Sequence, residues 1–552
     1  MKKISLLQSS CIKLILLATA TSVAQSPSSE SAVALEDPIP ETIELGDIQV
    51  NAIEFVRAPE TVDVSTPIGT NDAYARIQYL RSPPDESERL FFNDTRGILY
   101  VTDEDASEPQ VYLDLRTLEV GFYPYVFPHE SGLMSFAFHP EFATDGAPGY
   151  GKFYTAYSAS PFTEEADYIE EQNSLQESVV VEWTATDATD MEFEGVHREI
   201  LRVGQFRSNH NIGNIGFNPF AVKKTEEDTE DDGLPPDDGI NSEGNGAVGD
   251  DEGSEDEIDD YLENDWGMLY VAFGDGGGAH DSRDHGQDVT TPLGAILRIN
   301  PLGADPETDE EYGIPSDNPT IDNAIPELWA FGLRHPQHFS WDLEGKMFLL
   351  DIGQDQIEEV NLGVAGANYG WRIREGTFAT AHGVETDDAL GGVYEVDIEE
   401  DTQQLTYPVA QYDHDEGFAV GSGFVYRGEA IPELIGKFVF TELVRGRVFY
   451  IEAEPVDSTE DDASTEAQEP VEVLVPGTPT TIHELDILID GEEGSLSEIA
   501  GMPNTYLSHL PYTTRVDLRL SVDRHGEMYL LSKGDGWIRK LVPIEKNDGE
   551  EE

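Results

Sequence analysis

Gly267-Met268-Leu269-Tyr270-Val271 and Gly436-Lys437-Phe438-Val439-Phe440 share one pattern: a glycine, a variable residue, then three apolar or aromatic residues. It recurs at Gly97-Ile98-Leu99-Tyr100-Val101, Gly151-Lys152-Phe153-Tyr154-Thr155, Gly345-Lys346-Met347-Phe348-Leu349 and Gly526-Glu527-Met528-Tyr529-Leu530. Each copy reads as a turn glycine feeding a strand rich in β-branched and aromatic residues. Between the copies, no long stretch repeats apolar residues at helical period. Six strand units spread over about 430 residues predict an all-β chain, a six-bladed β-propeller with four-stranded blades.

The chain has 552 residues, with 111 Asp and Glu against 32 Lys and Arg, a formal net charge of −79. Such a surface repels phosphate backbones, which excludes nucleic acid as a partner class. With 38% hydrophobic residues, including 24 Phe and 22 Tyr, the chain can still bury a large core. Part of the acid is concentrated. Residues 226–265 hold 19 acids and no Lys or Arg, and the insert 221–265 is expected to be a solvated loop. It lacks the ordered ligand spacing of an EF-hand. A second acidic loop spans 454–472, and the tail 546–552 is acidic too. Without the first tract the net charge is still −60, so the propeller surface itself must be acidic.

Lys2 and Lys3, the apolar run Leu14-Ile15-Leu16-Leu17-Ala18 and the small residues up to Ala24 read as an export signal over 1–24. This predicts a periplasmic or extracellular protein. No later stretch is apolar and long enough to span a bilayer as a helix. The only cysteine, Cys11, falls inside the signal, so disulfides and thiolate chemistry drop out of the mature chain. Residues 25–50 are expected to form a flexible leader, and 51–545 the propeller.

Propellers carry their chemistry on loops around the central channel, so polar clusters between strands hold the functional information. The first is Asn209-His210-Asn211, whose imidazole suits a general base near neutral pH. The second is Gly274-Asp275-Gly276-Gly277-Gly278, where glycines allow close backbone approach. The third, Leu333-Arg334-His335-Pro336-Gln337, brings a permanent cation and an imidazole on one loop. The fourth runs from Asp351 through Gly353, Gln354 and Glu359 to Asn361, followed by Asn368-Tyr369-Gly370-Trp371. Its carbonyls and carboxylates are of the hard-cation type.

The order and wording of these segments, with Gly132-Leu133-Met134-Ser135-Phe136-Ala137-Phe138-His139-Pro140-Glu141-Phe142 and Gly423-Phe424-Val425-Tyr426-Arg427-Gly428, resemble the glucose/sorbosone dehydrogenase family. The resemblance runs over roughly 75–542. It implies a soluble six-bladed sugar dehydrogenase that uses pyrroloquinoline quinone (PQQ) and Ca2+, and passes electrons to a diffusible or periplasmic acceptor. It implies His210 as general base at the sugar C1 hydroxyl and Arg334 beside the quinone oxygens. Asn209 and His335 would flank the cofactor, His335 standing where the family usually has Asn. It further implies main-chain carbonyls of Gly353 and Gln354 as ligands to the cofactor's calcium, and Glu359 with the Tyr369 carbonyl at a second calcium.

Three positions depart from the family pattern. Glu130 stands where many members carry Gln, Gln354 where a Pro is common, and Val444 where a lysine meets a PQQ carboxylate. Arg445, Arg515 and Arg519 are the expected replacement cations. Activity does not follow from the scaffold. A propeller that keeps calcium and binds carbohydrate or protein without catalysis, and a calcium-dependent lactonase-type hydrolase, are the alternatives.

Overall fold

The computed structural model describes residues 31–61, 73–123, 130–161, 164–169, 174–223, 264–304, 311–386, 391–453, 474–503 and 514–544. The signal region, almost all of the acidic insert, the second acidic loop and the tail lie outside the described residues. Six four-stranded blades follow one another. The first is 77–81, 89–94, 98–103 and 110–114; the second is 133–138, 152–159, 176–185 and 195–205. The third is 212–216, 269–273, 295–299 and 328–331; the fourth is 336–341, 347–351, 357–363 and 410–413. The fifth is 420–425, 437–442, 448–452 and 483–489.

The sixth blade takes only 519–522, 528–531 and 537–543 from the C-terminal part of the chain. Its outer strand comes from the other end. We call this strand, Glu44–Arg57, β1. It pairs antiparallel with 537–543, setting Ala52 opposite Leu541, and parallel with the outer strand of the fifth blade, setting Val50 opposite Ile487. Blades five and six thus form one continuous eight-stranded sheet, and the ring is closed by the hydrogen bonds of β1 and the burial of its apolar side chains. The predicted leader is therefore too long at its C-terminal end. Residues 44–50 already belong to the closing strand. Upstream, the Ala32 and Leu35 amides donate to Glu385 and Val393 carbonyls at 3.1 and 2.9 Å.

Each predicted glycine-led unit falls in a different blade. Five of them are the second strand of their blade, but Gly97 leads into the third strand of the first blade, 98–103. The second strand there, Arg89–Asp94, has no glycine before it. Blade strands read as continuous apolar runs because each blade is packed on both faces. Leu269–Phe273 is buried at every position. Six apolar clusters fill the six interfaces between blades, among them Phe91, Tyr112, Phe138 and Trp183 between the first two. Each fully buried side chain of this size stabilises the fold by roughly 1.5–3 kcal/mol. The longest helix among the described residues is Leu496–Ile499, capped by Ser495.

All six inner strands run the same way along the channel. The loops that enter them, and those joining second to third strands, gather at one end, here the upper face. The connection from 212–216 to 269–273, which carries the acidic insert, starts and ends on the lower face, as does the one from 448–452 to 483–489.

Two expectations test this construction. Val50 is fully buried in β1 whereas Ile53 is 36% exposed. Val50→Asp should lower unfolding free energy in urea by about 4 kcal/mol or more, and Ile53→Asp by less than about 0.5 kcal/mol. His139 is buried, and burial pushes its imidazole down to about 4 from the usual 6.5. The neutral ring is favoured in the fold, so its stabilisation is present above pH 6.5 and is lost as pH falls towards 4. Melting temperature should therefore fall over that window, and less steeply in His139→Gln.

Candidate active site on the upper face

His210 sits just before the inner strand of the third blade, with φ of +53°. Its neighbours explain how the loop is held. Asn211 Nδ2 donates to the Glu130 and Ser208 carbonyls at 2.6 and 3.0 Å, and the His210 amide donates to Glu130 Oε2 at 2.6 Å. The glycine-rich segment packs directly against this loop. A side chain at Gly274 would meet the His210 carbonyl at 2.6 Å, and one at Gly277 would meet Asn209 Oδ1 at 2.4 Å. The glycines serve close approach, and what they bring in is Asp275.

Asp275 is buried, and its Oδ1 lies 2.6 Å from His210 Nδ1. Burial alone would raise its pKa, but the charge and hydrogen bond of His210, with Arg334 and the Gly277 amide, hold it below the usual carboxylate range. An ionised carboxylate can only accept, so Nδ1 carries the proton and the Nε2 lone pair is left as the base. Trp371 Nε1 donates to the second Asp275 oxygen at 2.9 Å. The sequence reading singled out the Gly274–Gly278 segment for its backbone and missed Asp275 as the partner of His210. A carboxylate between glycines at a strand end was the available signal.

Glu130 is not an uncompensated anion. Its Oε2 lies 3.2 Å from His335 Nε2, and the His210 and His335 rings stack at 4.9 Å. Burial would raise its pKa, but the hydrogen bond and charge of His335 and the His210 amide hold it well below the usual range. Oε2 is thus engaged with two histidine loops. His335 also meets the Gln337 amide at 2.6 Å, and Gln337 Oε1 accepts from Arg519. Asn209 is half-buried beside Gly277.

Arg334 is close by, its carbonyl accepting from the Asp275 amide at 2.8 Å. Its guanidinium donates to the Ile352 carbonyl at 2.8 Å and to Gln354 Oε1 at 3.3 and 3.4 Å, and lies over Trp371. It therefore ties the Gly353–Gln354 turn to the His210 loop. A side chain at Gly353 would lie 1.8 Å from the Ile357 carbonyl, so only glycine fits. Asp351 and Glu359 face each other across paired strands. Burial, reinforced by neighbouring carboxylates, pushes them up to about 7 and about 8. Glu359 accepts from the Gly376 amide and from Asn361, while the Tyr369 hydroxyl donates to the Leu362 carbonyl at 2.7 Å. Among the described residues no three His, Asp or Glu side chains group as a metal centre.

The replacement cations divide. The guanidinium of Arg445 donates to the Asp415 and His414 carbonyls at 2.8 and 3.3 Å, beside Phe418. Val444 is buried against Ala419 and Leu443. Arg515 donates through Nε to Asp517 at 2.5 Å. Arg519 is fully buried, and its Nε and one Nη have no partner among the described residues. Lys533 stands by both it and Arg76, and Arg96 stands by Arg76; the sequence reading did not find these three because they come from separate loops of the first and sixth blades. Lys533 is buried and held well below the usual lysine range by desolvation, with Arg76, Arg519 and Arg515 adding repulsion against the pull of Asp517. Asp94, Asp517 and, towards Arg519, Glu130 are the carboxylates that offset these cations.

A buried excess of positive charge costs stability unless an anion joins it. Lys533→Met should therefore raise the melting temperature, whereas Asp517→Asn should cost about 3 kcal/mol or more by urea unfolding. Citrate should raise the melting temperature of the native chain more than that of Lys533→Met.

The chain is similar to known proteins in sequence and in fold. The sequence model of the family Glucose / Sorbosone dehydrogenase matches residues 261–478, bearing out the resemblance read from the motifs. The HIPL2 protein of Arabidopsis thaliana is 28% identical over 444 residues, 72% of this chain and 55% of the relative. Quinoprotein glucose dehydrogenase B of Acinetobacter calcoaceticus is 33% identical over 87 residues, 16% of each chain. The chain spans about half the length of the first curated relatives it matches, 50% and 55%. The fold is that of the soluble aldose sugar dehydrogenase of Escherichia coli, with a TM-score of 0.52 and 15% identity over 90% of this chain and all of that one. No described helix is long and apolar enough to cross a membrane.

Proposed function

We propose that this protein oxidises an aldose at C1 to the lactone, with PQQ and Ca2+ bound at the upper face. The observation that carries the reading is the His210–Asp275 pair, 2.6 Å apart and buried, beside an undercompensated pocket of cations. PQQ, when bound, supplies a two-electron acceptor with three carboxylates. The residues present fit such a group: the unpartnered nitrogens of Arg519, with Lys533 and Arg76, suit a polycarboxylate. They take the place of the family lysine lost at Val444.

In this reading His210 Nε2 receives the proton of the C1 hydroxyl while the C1 hydrogen leaves with its electron pair, and Asp275 stabilises the resulting imidazolium. Arg334 fixes the turn whose Gly353 and Gln354 carbonyls would hold calcium, next to the buried carboxyl groups of Asp351 and Glu359. Electrons then pass to a diffusible acceptor, and the sugar enters from the periplasm or medium. The family's non-catalytic alternative draws on one observation, the buried Val444; the assay below separates the two.

The test is reconstitution of the purified chain with PQQ and Ca2+, followed by dye reduction across a panel of aldoses. Turnover is expected, with a cofactor absorbance band that requires calcium. His210→Ala should remove turnover and keep the band, and Asp275→Asn should lower kcat by about 10²–10⁴-fold. A band without turnover on any sugar would leave a cofactor-binding propeller, and no band at all would end the PQQ reading.

A further inference from the structure

The channel has a second mouth. Where the inner strands end, on the lower face, they surround a cavity of about 690 Å³. His338, in its wall, lies three residues down its strand from His335, roughly 10 Å along the channel. Most of the wall is aromatic or aliphatic, with Phe339, Trp341 and Phe424 contributed by the fourth and fifth blades. Arg81 reaches in from the first blade.

The partners of Arg81 are all neutral. Its guanidinium donates to the Phe136 carbonyl, to the Ile215 carbonyl at 2.9 Å and to Asn214 Oδ1 at 2.6 Å. Among the described residues no carboxylate lies within ion-pair distance of it. Arg89, Arg202 and Arg298, all more deeply buried, do have one: Asp85 at 2.6 Å, Glu177 at 2.5 Å and Asp265 at 3.1 Å. Burial pushes the Arg81 pKa down to about 10, and no carboxylate offsets it. In a chain with 111 acids, this cavity is walled by apolar rings and a cation no acid answers. Arg427 lies at its rim with Arg524, which pairs with Glu104 at 3.1 Å, while Asp523 is engaged by the Tyr529 hydroxyl and two backbone amides.

We propose that the lower cavity binds a small organic anion with an apolar body, its carboxylate on Arg81 and its ring or chain against Phe339, Trp341 and Phe424. The geometry assigns binding and no catalysis there: His338 Nε2 faces the Gly423 carbonyl at 3.0 Å and has no carboxylate partner like that of His210. The assignment is independent of the upper site.

Isothermal titration of the full chain with 2-naphthoate, and with the neutral 2-naphthylmethanol, tests it. One naphthoate per chain is expected, with the alcohol at least about tenfold weaker. Arg81→Gln should weaken naphthoate by about tenfold or more and leave the alcohol unchanged, and Arg81→Lys should recover part of the loss. A side chain at Gly216 would start 3.4 Å from Phe339 and 3.6 Å from Trp341, so Gly216→Leu fills the cavity and should block both compounds. His210→Ala should change neither. Equal affinity for acid and alcohol, binding that survives Gly216→Leu in a chain with native circular dichroism, or full displacement by chloride alone would each overturn the proposal.

Discussion

Everything on the channel depends on the pairing of β1 with two strands more than 400 residues away. The hydrogen bonds from Glu44–Arg57 to 537–543 and 483–489 turn a row of blades into a ring. Without it the sixth blade has three strands and an open edge, and the interface holding Tyr529 and Ile538 against Ile77 and Phe92 has no reason to form. The inner strands then have no common axis, and loops from five different blades have nothing to converge on. The site is thus a property of the closed ring, not of any one blade.

Within the ring, charge is arranged against the composition. The upper face gathers carboxylates that are individually matched: Asp275 to His210, Glu130 to two histidine loops, Asp517 to Arg515. It also gathers cations that outnumber their partners. An evolved interior that leaves Lys533 and Arg519 undercompensated gives up stability at that point. Such residues persist where a ligand supplies the missing charge.

The blade count could be read from the sequence because buried strands two-deep in a propeller need uninterrupted apolar runs, and a glycine turn marks their start. The first blade shows where that reading slips: Arg89–Asp94 enters from a polar loop, so the glycine-led run belongs to the next strand. Ring closure was invisible, since β1 mixes buried and exposed positions and precedes the first motif by some forty residues. The His210 and Arg334 loops were legible as local clusters. Asp275 as a partner, and the set Arg76, Arg96, Arg519 and Lys533, were not. They meet only across blades, and sequence spacing carries no information on which loops the ring brings together.

The direction of the two acidic connections bears on how ligands arrive. Both leave the ring at its lower face, and with a net charge of −79 on the chain every anion approaches against repulsion before reaching an interior cation. Encounter is then slowed by repulsion at long range and rewarded only at short range, after desolvation. Screening shortens the repulsive reach and leaves buried contacts nearly untouched. Capture of an anion by this protein should accelerate as ionic strength rises, the reverse of ordinary electrostatic steering, while its release barely changes.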